Sequence, residues 1–241
     1  MTSGEPGRAA SLAVPAVLVA ALSGAGVALQ GRFNGDLSAA GAGALVASWL
    51  SYVGTLVTAV LVVLAQGRAG VSARTLRTRG RWWWYAVGLC AVPIVVAFSF
   101  GIPIIGVAIA SVCSVAGQSV GGLVLDARGV GVPTALPLTG RRLAAAVLAI
   151  AGLLAVVAGG GGGPDVSAAK VAVLCVVMFL SGVLLSGQQA GNGRVAFVTG
   201  DPVLPAVTST IGGLVGVSVL VGLAALVGRL GAVVLPDEPG R

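Results

Sequence analysis

Ser23-Gly24, Gln30-Gly31-Arg32-Phe33-Asn34-Gly35 and Gly54-Thr55-Leu56-Val57 are answered, 158 residues further on and without a gap, by Ser181-Gly182, Gln188-Gln189-Ala190-Gly191-Asn192-Gly193 and Gly212-Gly213-Leu214-Val215. Eight positions are identical at this single offset. Coincidence does not readily align so many residues at one spacing, so the chain reads as an internal duplication whose second copy is the shorter.

Composition says where that duplication resides. Hydrophobic residues make up 57% of the chain, charged residues only 9%, and the mean hydropathy is +1.05. A soluble domain carries about 25% charged residues, so a water-soluble globule is excluded. Charge-free stretches cover 9–31, 37–67, 82–125, 143–164, 171–193 and 202–228. About 20 apolar residues cross the hydrocarbon of a bilayer, so each stretch suffices for at least one crossing. The stretch 82–125 is long enough for two, and Phe100-Gly101-Ile102-Pro103 is its expected break, because proline lacks a backbone donor and disfavours helix in the residue before it. The expectation is an all-α polytopic membrane protein of about seven helices, near 12–30, 42–64, 83–100, 104–124, 143–159, 170–189 and 203–227.

The net charge of +7 comes from thirteen arginines and one lysine set almost entirely between the apolar spans, which is a topological signal and not a nucleic-acid footprint. Sorted by alternate sides, Arg8, Arg68, Arg74, Arg77, Arg79, Arg81, Arg128, Arg141, Arg142 and Arg194 share one face of the membrane, leaving Arg32, Lys170, Arg229 and Arg241 on the other. The positive-inside rule makes the richer face cytoplasmic, with the N-terminus inside. Trp82-Trp83-Trp84-Tyr85 follows Arg81 as an interfacial aromatic belt. Cys90, Cys113 and Cys175 lie within spans and read as small packing residues. A cleaved signal peptide over residues 1–30 is the competing reading of the first span, and the recurrence of its pattern deep in the chain argues against it.

Three segments follow: residues 1–159 as a five-helix unit, 160–168 as a Gly-rich linker built on Gly159–Gly163 and Pro164-Asp165, and 169–241 as a partial unit of two helices. Five crossings are odd in number, so the second unit enters from the opposite side, the inverted-repeat arrangement of many secondary transporters.

Several motifs carry a family resemblance: Ala28-Leu29-Gln30-Gly31-Arg32-Phe33-Asn34-Gly35-Asp36-Leu37, Gly54-Thr55-Leu56, Pro103-Ile104-Ile105-Gly106, and Gly117-Gln118 running on to Asp126. The pattern resembles the YdcZ-type branch of the drug/metabolite transporter (EamA-like) superfamily. The resemblance implies a bacterial inner-membrane exporter of a small metabolite or drug-like molecule, built from five-helix units and working by alternating access. No counterpart of helices three to five of the first unit follows Arg229. The alternative expectation is therefore a non-transporting subunit or remnant, whose partners beyond the lipid bilayer would be a second copy or a separate chain supplying helices.

The substrate-binding candidates are the polar residues within the spans. Gln30, Asn34, Gln188 and Asn192 come first: amides in lipid need partners, and related amides on inverted helices would face one another across a central cavity. The plainer expectation is that they end helices one and six and bond loop backbone. Ser114 and Gln118, with Ser111, form a polar stripe on helix four. Trp49 and Tyr52, near Ser48, Ser51 and Thr55, form a possible aromatic wall. Glu5, Asp36, Asp126, Asp165, Asp201, Asp237 and Glu238 fall outside or at the edges of the spans, and there is no histidine, so proton coupling through a buried carboxylate is not expected. Asp126 is expected to pair with Arg128 at the surface. No zinc set, phosphate loop or paired catalytic carboxylates occur, so neither an enzyme nor a cofactor is expected.

Overall fold

A computed structural model describes the backbone of residues 5–132, 134–159 and 166–227. Most of the expected linker, together with Arg229, Arg241 and the polar ending, lies outside these residues. Among those described, every regular element is helical: α1 (Glu5–Leu37), α2 (Gly43–Ala65), α3 (Ala69–Arg79), α4 (Trp82–Ala86), α5 (Val92–Ile105), α6 (Val107–Ala127), α7 (Gly140–Ala158), α8 (Ala168–Thr199) and α9 (Leu204–Leu226). A π-helical turn, Ser38–Ala42, joins α1 to α2, and a 3-10 turn, Val87–Ala91, joins α4 to α5. Five segments are long and apolar enough to cross a bilayer: Val17–Ala65, Trp82–Ile105, Val107–Ala127, Ala168–Thr199 and Leu204–Leu226. In lipid, a helix is the form that satisfies its own backbone donors and acceptors, which is why such runs fold this way.

Two glycines make the sharp corners. Gly41 stands at φ 112° between α1 and α2, a conformation that a side chain would strain. Gly106 stands at φ 80° between α5 and α6. The break in the long apolar stretch is thus at Gly106 and not over Phe100–Pro103. Pro103 is carried inside α5 and costs it one hydrogen bond, whereas Gly106 supplies the positive φ that the corner requires. Other expected boundaries also move. α1 continues past residue 30 to Leu37 and α8 past residue 189 to Thr199, so Gln30, Asn34, Gln188 and Asn192 are helical residues and not terminators. At 1.5 Å per residue the 32 residues of α8 reach about 48 Å, longer than the roughly 30 Å hydrocarbon core. The arginine-bearing connection after α2 is itself a helix, α3. Asp126 pairs with Arg142 at the start of α7, and not with Arg128.

Glycines set the approach of the helices, since lipid tails give no hydrophobic drive for helix association and small residues let backbones meet. Gly117 and Gly121 of α6 lie against Phe179 and Val183 of α8, and Gly182 of α8 lies against the backbone of Ser114. The two helices advance together. Gly31 and Gly35 of α1 meet Phe98 and Ile102 of α5, so α1 and α5 run the same way. Gly101 of α5 meets Met178 while Val87, at the other end of that span, meets Gly191; α8 therefore runs against α5 and against α1. Trp49 reaches Ser218, Tyr52 reaches Gly213, and Ala59 and Val63 pack with Val207, so α2 and α9 are also antiparallel.

Asp201, in the turn between α8 and α9, is buried at 6% exposure. Its Oδ1 accepts from the backbone N–H of Val203 at 2.9 Å and of Leu204 at 3.3 Å, holding the start of α9. Its Oδ2 takes the Arg68 guanidinium at 3.1 Å, fastening the end of α2 to that turn.

Candidate functional site

Where these helices converge they leave a cavity of about 210 Å³. α1 contributes Val27, Gln30, Gly31 and Asn34; α2 contributes Ser51, Tyr52 and Thr55; Ala91 and the α5 residues Ile94, Val95 and Phe98 form the apolar wall. Ser114 of α6, Leu185 and Gln188 of α8 and Thr210 of α9 complete it. Five of the eight candidates, Gln30, Asn34, Tyr52, Ser114 and Gln188, thus border one space. Gln30 and Gln188 hold the same place in the two copies, as do Tyr52 and Thr210, which are 158 residues apart.

Each polar group has a helical reason for its position. Gln30 lies one turn before Asn34, on the α1 face that also carries Gly31 close to Phe98, and α1 must approach α5 closely for both to reach the cavity. Gln30 Nε2 donates to Ser51 Oγ at 2.7 Å, tying α1 to α2. Asn34 is buried at 8% exposure. Behind the cavity, Ser48 and Ser99 share a buried hydrogen bond of 3.0 Å in which one hydroxyl donates to the other, and the accepting hydroxyl is free to donate to a carbonyl of its own helix, Ala44 or Val95, so α2 is pinned to α5 without charge. Tyr52 lies against Gly213; its hydroxyl is buried without a hydrogen-bond partner among the described residues, and a Cβ on Gly213 would run into its ring.

The remaining candidates stand elsewhere. Gln118 borders a second cavity of about 390 Å³ with Ser23, Gly24, Ser111 and Gln189, which shares Val27, Phe98, Ser114 and Leu185 with the first. There Gln118 Nε2 donates to Ser114 Oγ at 3.1 Å, and Gln189 Nε2 donates to Gln118 Oε1 at 3.1 Å. Trp49 does not line the first cavity: its indole N–H donates to Ser218 Oγ at 2.9 Å and braces α2 against α9. Asn192 does not line it either, and its Oδ1 is buried without a partner among the described residues.

Gln189 escaped the sequence reading because its counterpart in the first copy is Gly31, so the repeat gave no cue; an amide beside an amide in an apolar run was the signal. Thr210 was legible only by carrying Tyr52 forward through the offset. Phe98 and Leu185 looked like any other apolar helix residues. Contributions from α5 and α9 widen the lining beyond the helices that carry the eight candidates.

Chemically the cavity can bind and discriminate. Its lining holds amides, hydroxyls and aromatic faces, and none of the lining residues is an acid, a histidine, a lysine or an arginine. It therefore has hydrogen bonds to offer a solute and neither an ion pair nor a general acid–base pair.

The family described as "Putative inner membrane exporter, YdcZ" matches residues 15–155, which is more than half of the chain and takes in α1 from Pro15 through most of α7. No curated protein and no solved structure matches the chain. The chain belongs to the YdcZ family of inner-membrane exporters, and it is a multi-pass membrane protein.

Proposed function

We propose that the chain exports a small, uncharged, hydrogen-bonding metabolite or drug-like molecule, and that the 210 Å³ cavity is where the solute is held. The observation that carries this reading is the meeting of Gln30 and Asn34 from one copy with Gln188 from the other, around Tyr52 and Ser114. Amides and hydroxyls on an uncharged, mostly apolar lining suit a neutral hydrogen-bonding solute, whereas an ion would lose hydration with no countercharge to replace it.

The mechanism proposed is alternating access between inverted units. The opposed runs of α1 and α8, and of α2 and α9, support it, as does the offset that relates each pair. Val17–Ala65 spans 49 residues, about 73 Å of helix, so with its corner at Gly41 it is best read as two crossings. Adding α7 as a crossing brings the total to seven, and the arginine distribution puts the N-terminus in the cytoplasm.

A second reading is favoured by a separate observation. In α8, Leu174, Cys175, Met178, Ser181 and Gly182 are buried by α5 and α6. In α1 the described residues at the equivalent offset, Val17, Ala20, Ser23 and Gly24, are exposed. That contrast fits a chain whose α1 is covered by a further helix from a second copy or a separate partner, which would then be needed for transport.

Export is tested by comparing the spent medium of cells expressing the wild type with that of cells expressing the Q30A/Q188A variant at equal membrane abundance. The expected result is one or more neutral solutes accumulating outside with the wild type and returning to baseline with the variant. Indistinguishable profiles for wild type, variant and empty vector would sink the exporter reading.

A further inference from the structure

Helix α3 takes no part in the cavity, yet its two faces differ sharply. Ala69 packs with Ala59, Val63 and Val207, Leu76 packs with Trp84, Val195 and Leu204, and Ser72 is buried between them. With about 100° per residue, the opposite face carries Gly70, Arg74, Arg77 and Thr78. Gly70, Ala73, Arg74, Arg77 and Thr78 border an open pocket of about 430 Å³. Arg74 and Arg77, one turn apart, are exposed and stand on its rim.

Among the described residues, the charge at this face has no acidic partner. The ion pairs among the described residues join Arg32 to Asp36, Arg68 to Asp201 and Arg142 to Asp126, and none reaches Arg74, Arg77, Arg79 or Arg81. Four guanidiniums within eight residues repel one another unless an anion sits among them. The setting selects the kind of anion: Trp82, 80% exposed, follows directly and marks the level where headgroups lie. Val71, 63% exposed on the same outer face, offers apolar contact that a free inorganic ion could not use.

We infer that Arg74 and Arg77 form a binding site for the phosphodiester of an anionic phospholipid headgroup on the arginine-rich side of the membrane. Paired guanidinium forks suit phosphate oxygens, and the absence of side-chain bulk at Gly70 and Ala73 leaves room for the headgroup. This stands apart from the cavity and from what it carries.

The test is native mass spectrometry and thermal melting of the purified full chain, titrated with phosphatidylglycerol or phosphatidylcholine. The wild type should retain phosphatidylglycerol preferentially and melt higher in its presence. R74Q/R77Q should weaken that binding about 30-fold, since each charge near an anionic leaflet contributes on the order of a factor of five. R74K/R77K keeps the charges but loses the forks and should fall between the wild type and R74Q/R77Q, and the charge-matched control R128Q/R141Q should leave the binding intact. Inorganic phosphate at equal concentration should not compete. Equal loss in the control would mean diffuse charge only, and competition by phosphate would mean a simple anion site; either result overturns the inference, as does a wild type indifferent to lipid charge.

Discussion

Replacing Asp201 separates two jobs that one carboxylate performs. Asp201→Ala removes the acceptor for the Val203 and Leu204 N–H groups, a helix-start loss of about 1 kcal/mol. It also leaves Arg68 without its partner. Breaking a fully buried pair costs about 3–5 kcal/mol, but the Arg68 side chain is 36% exposed and solvent recovers much of that, so about 1–2 kcal/mol is the discounted figure. The sum is roughly 2–3 kcal/mol for Asp201→Ala. Asp201→Asn keeps an acceptor oxygen for the backbone and loses only the charge, so it should cost about 1–2 kcal/mol. Thermal unfolding in a mild detergent, followed by the fluorescence of a thiol dye reacting with the buried Cys113 and Cys175, reads both. The order expected is wild type, then D201N, then D201A. In R68Q/D201N the two losses should fall short of additivity, because the pair is broken only once. Equal melting for D201N and D201A, or strict additivity in the double variant, would show that Asp201 does not join the end of α2 to the start of α9.

Gly182→Val would push a side chain into the Ser114 backbone, and the expected overpacking cost of about 1–3 kcal/mol should appear as poor folded yield, with Gly187→Ala, where a Cβ meets nothing, as a silent control in size-exclusion chromatography. Gly106→Ala forces an ordinary residue to φ 80°, which costs about 1–3 kcal/mol and should lower the melting temperature by several degrees. Once a solute is identified, its affinity measured by calorimetry should change little between pH 5.5 and 8, because no acid, histidine, lysine or arginine lines the cavity; a tenfold change would place a titrating group in the binding step.

The broad architecture was legible because lipid leaves so few options: a charge-free run of twenty residues must be helical, and the arginines mark where runs end. The meeting of Gln30 and Gln188 was legible for a different reason, since duplication makes equivalent residues occupy equivalent places. Local features decided by packing were not. The expected ends of helices one and six lay at the edges of charge-free stretches, just before Arg32 and Arg194, yet charged residues near a span's end can stay helical while projecting into the interface, so α1 and α8 run on past them. Pro103 looked like the corner because proline breaks helices, but the corner needed positive φ, which only a glycine takes cheaply. Trp49 looked like a binding surface until its indole N–H found Ser218 on α9, a contact 169 residues away in sequence that no local pattern announces.

The central claim is that equivalent helices of the two copies cross the membrane in opposite directions around one shared cavity. Its most direct test uses single cysteines at Ser38, after α1, and at Gly200, after α8, in a background lacking Cys90, Cys113 and Cys175, probed in intact cells with a membrane-impermeant maleimide. The account predicts that Ser38→Cys labels from outside and that Gly200→Cys labels only after the membrane is opened. Labelling of both from the same side would contradict it.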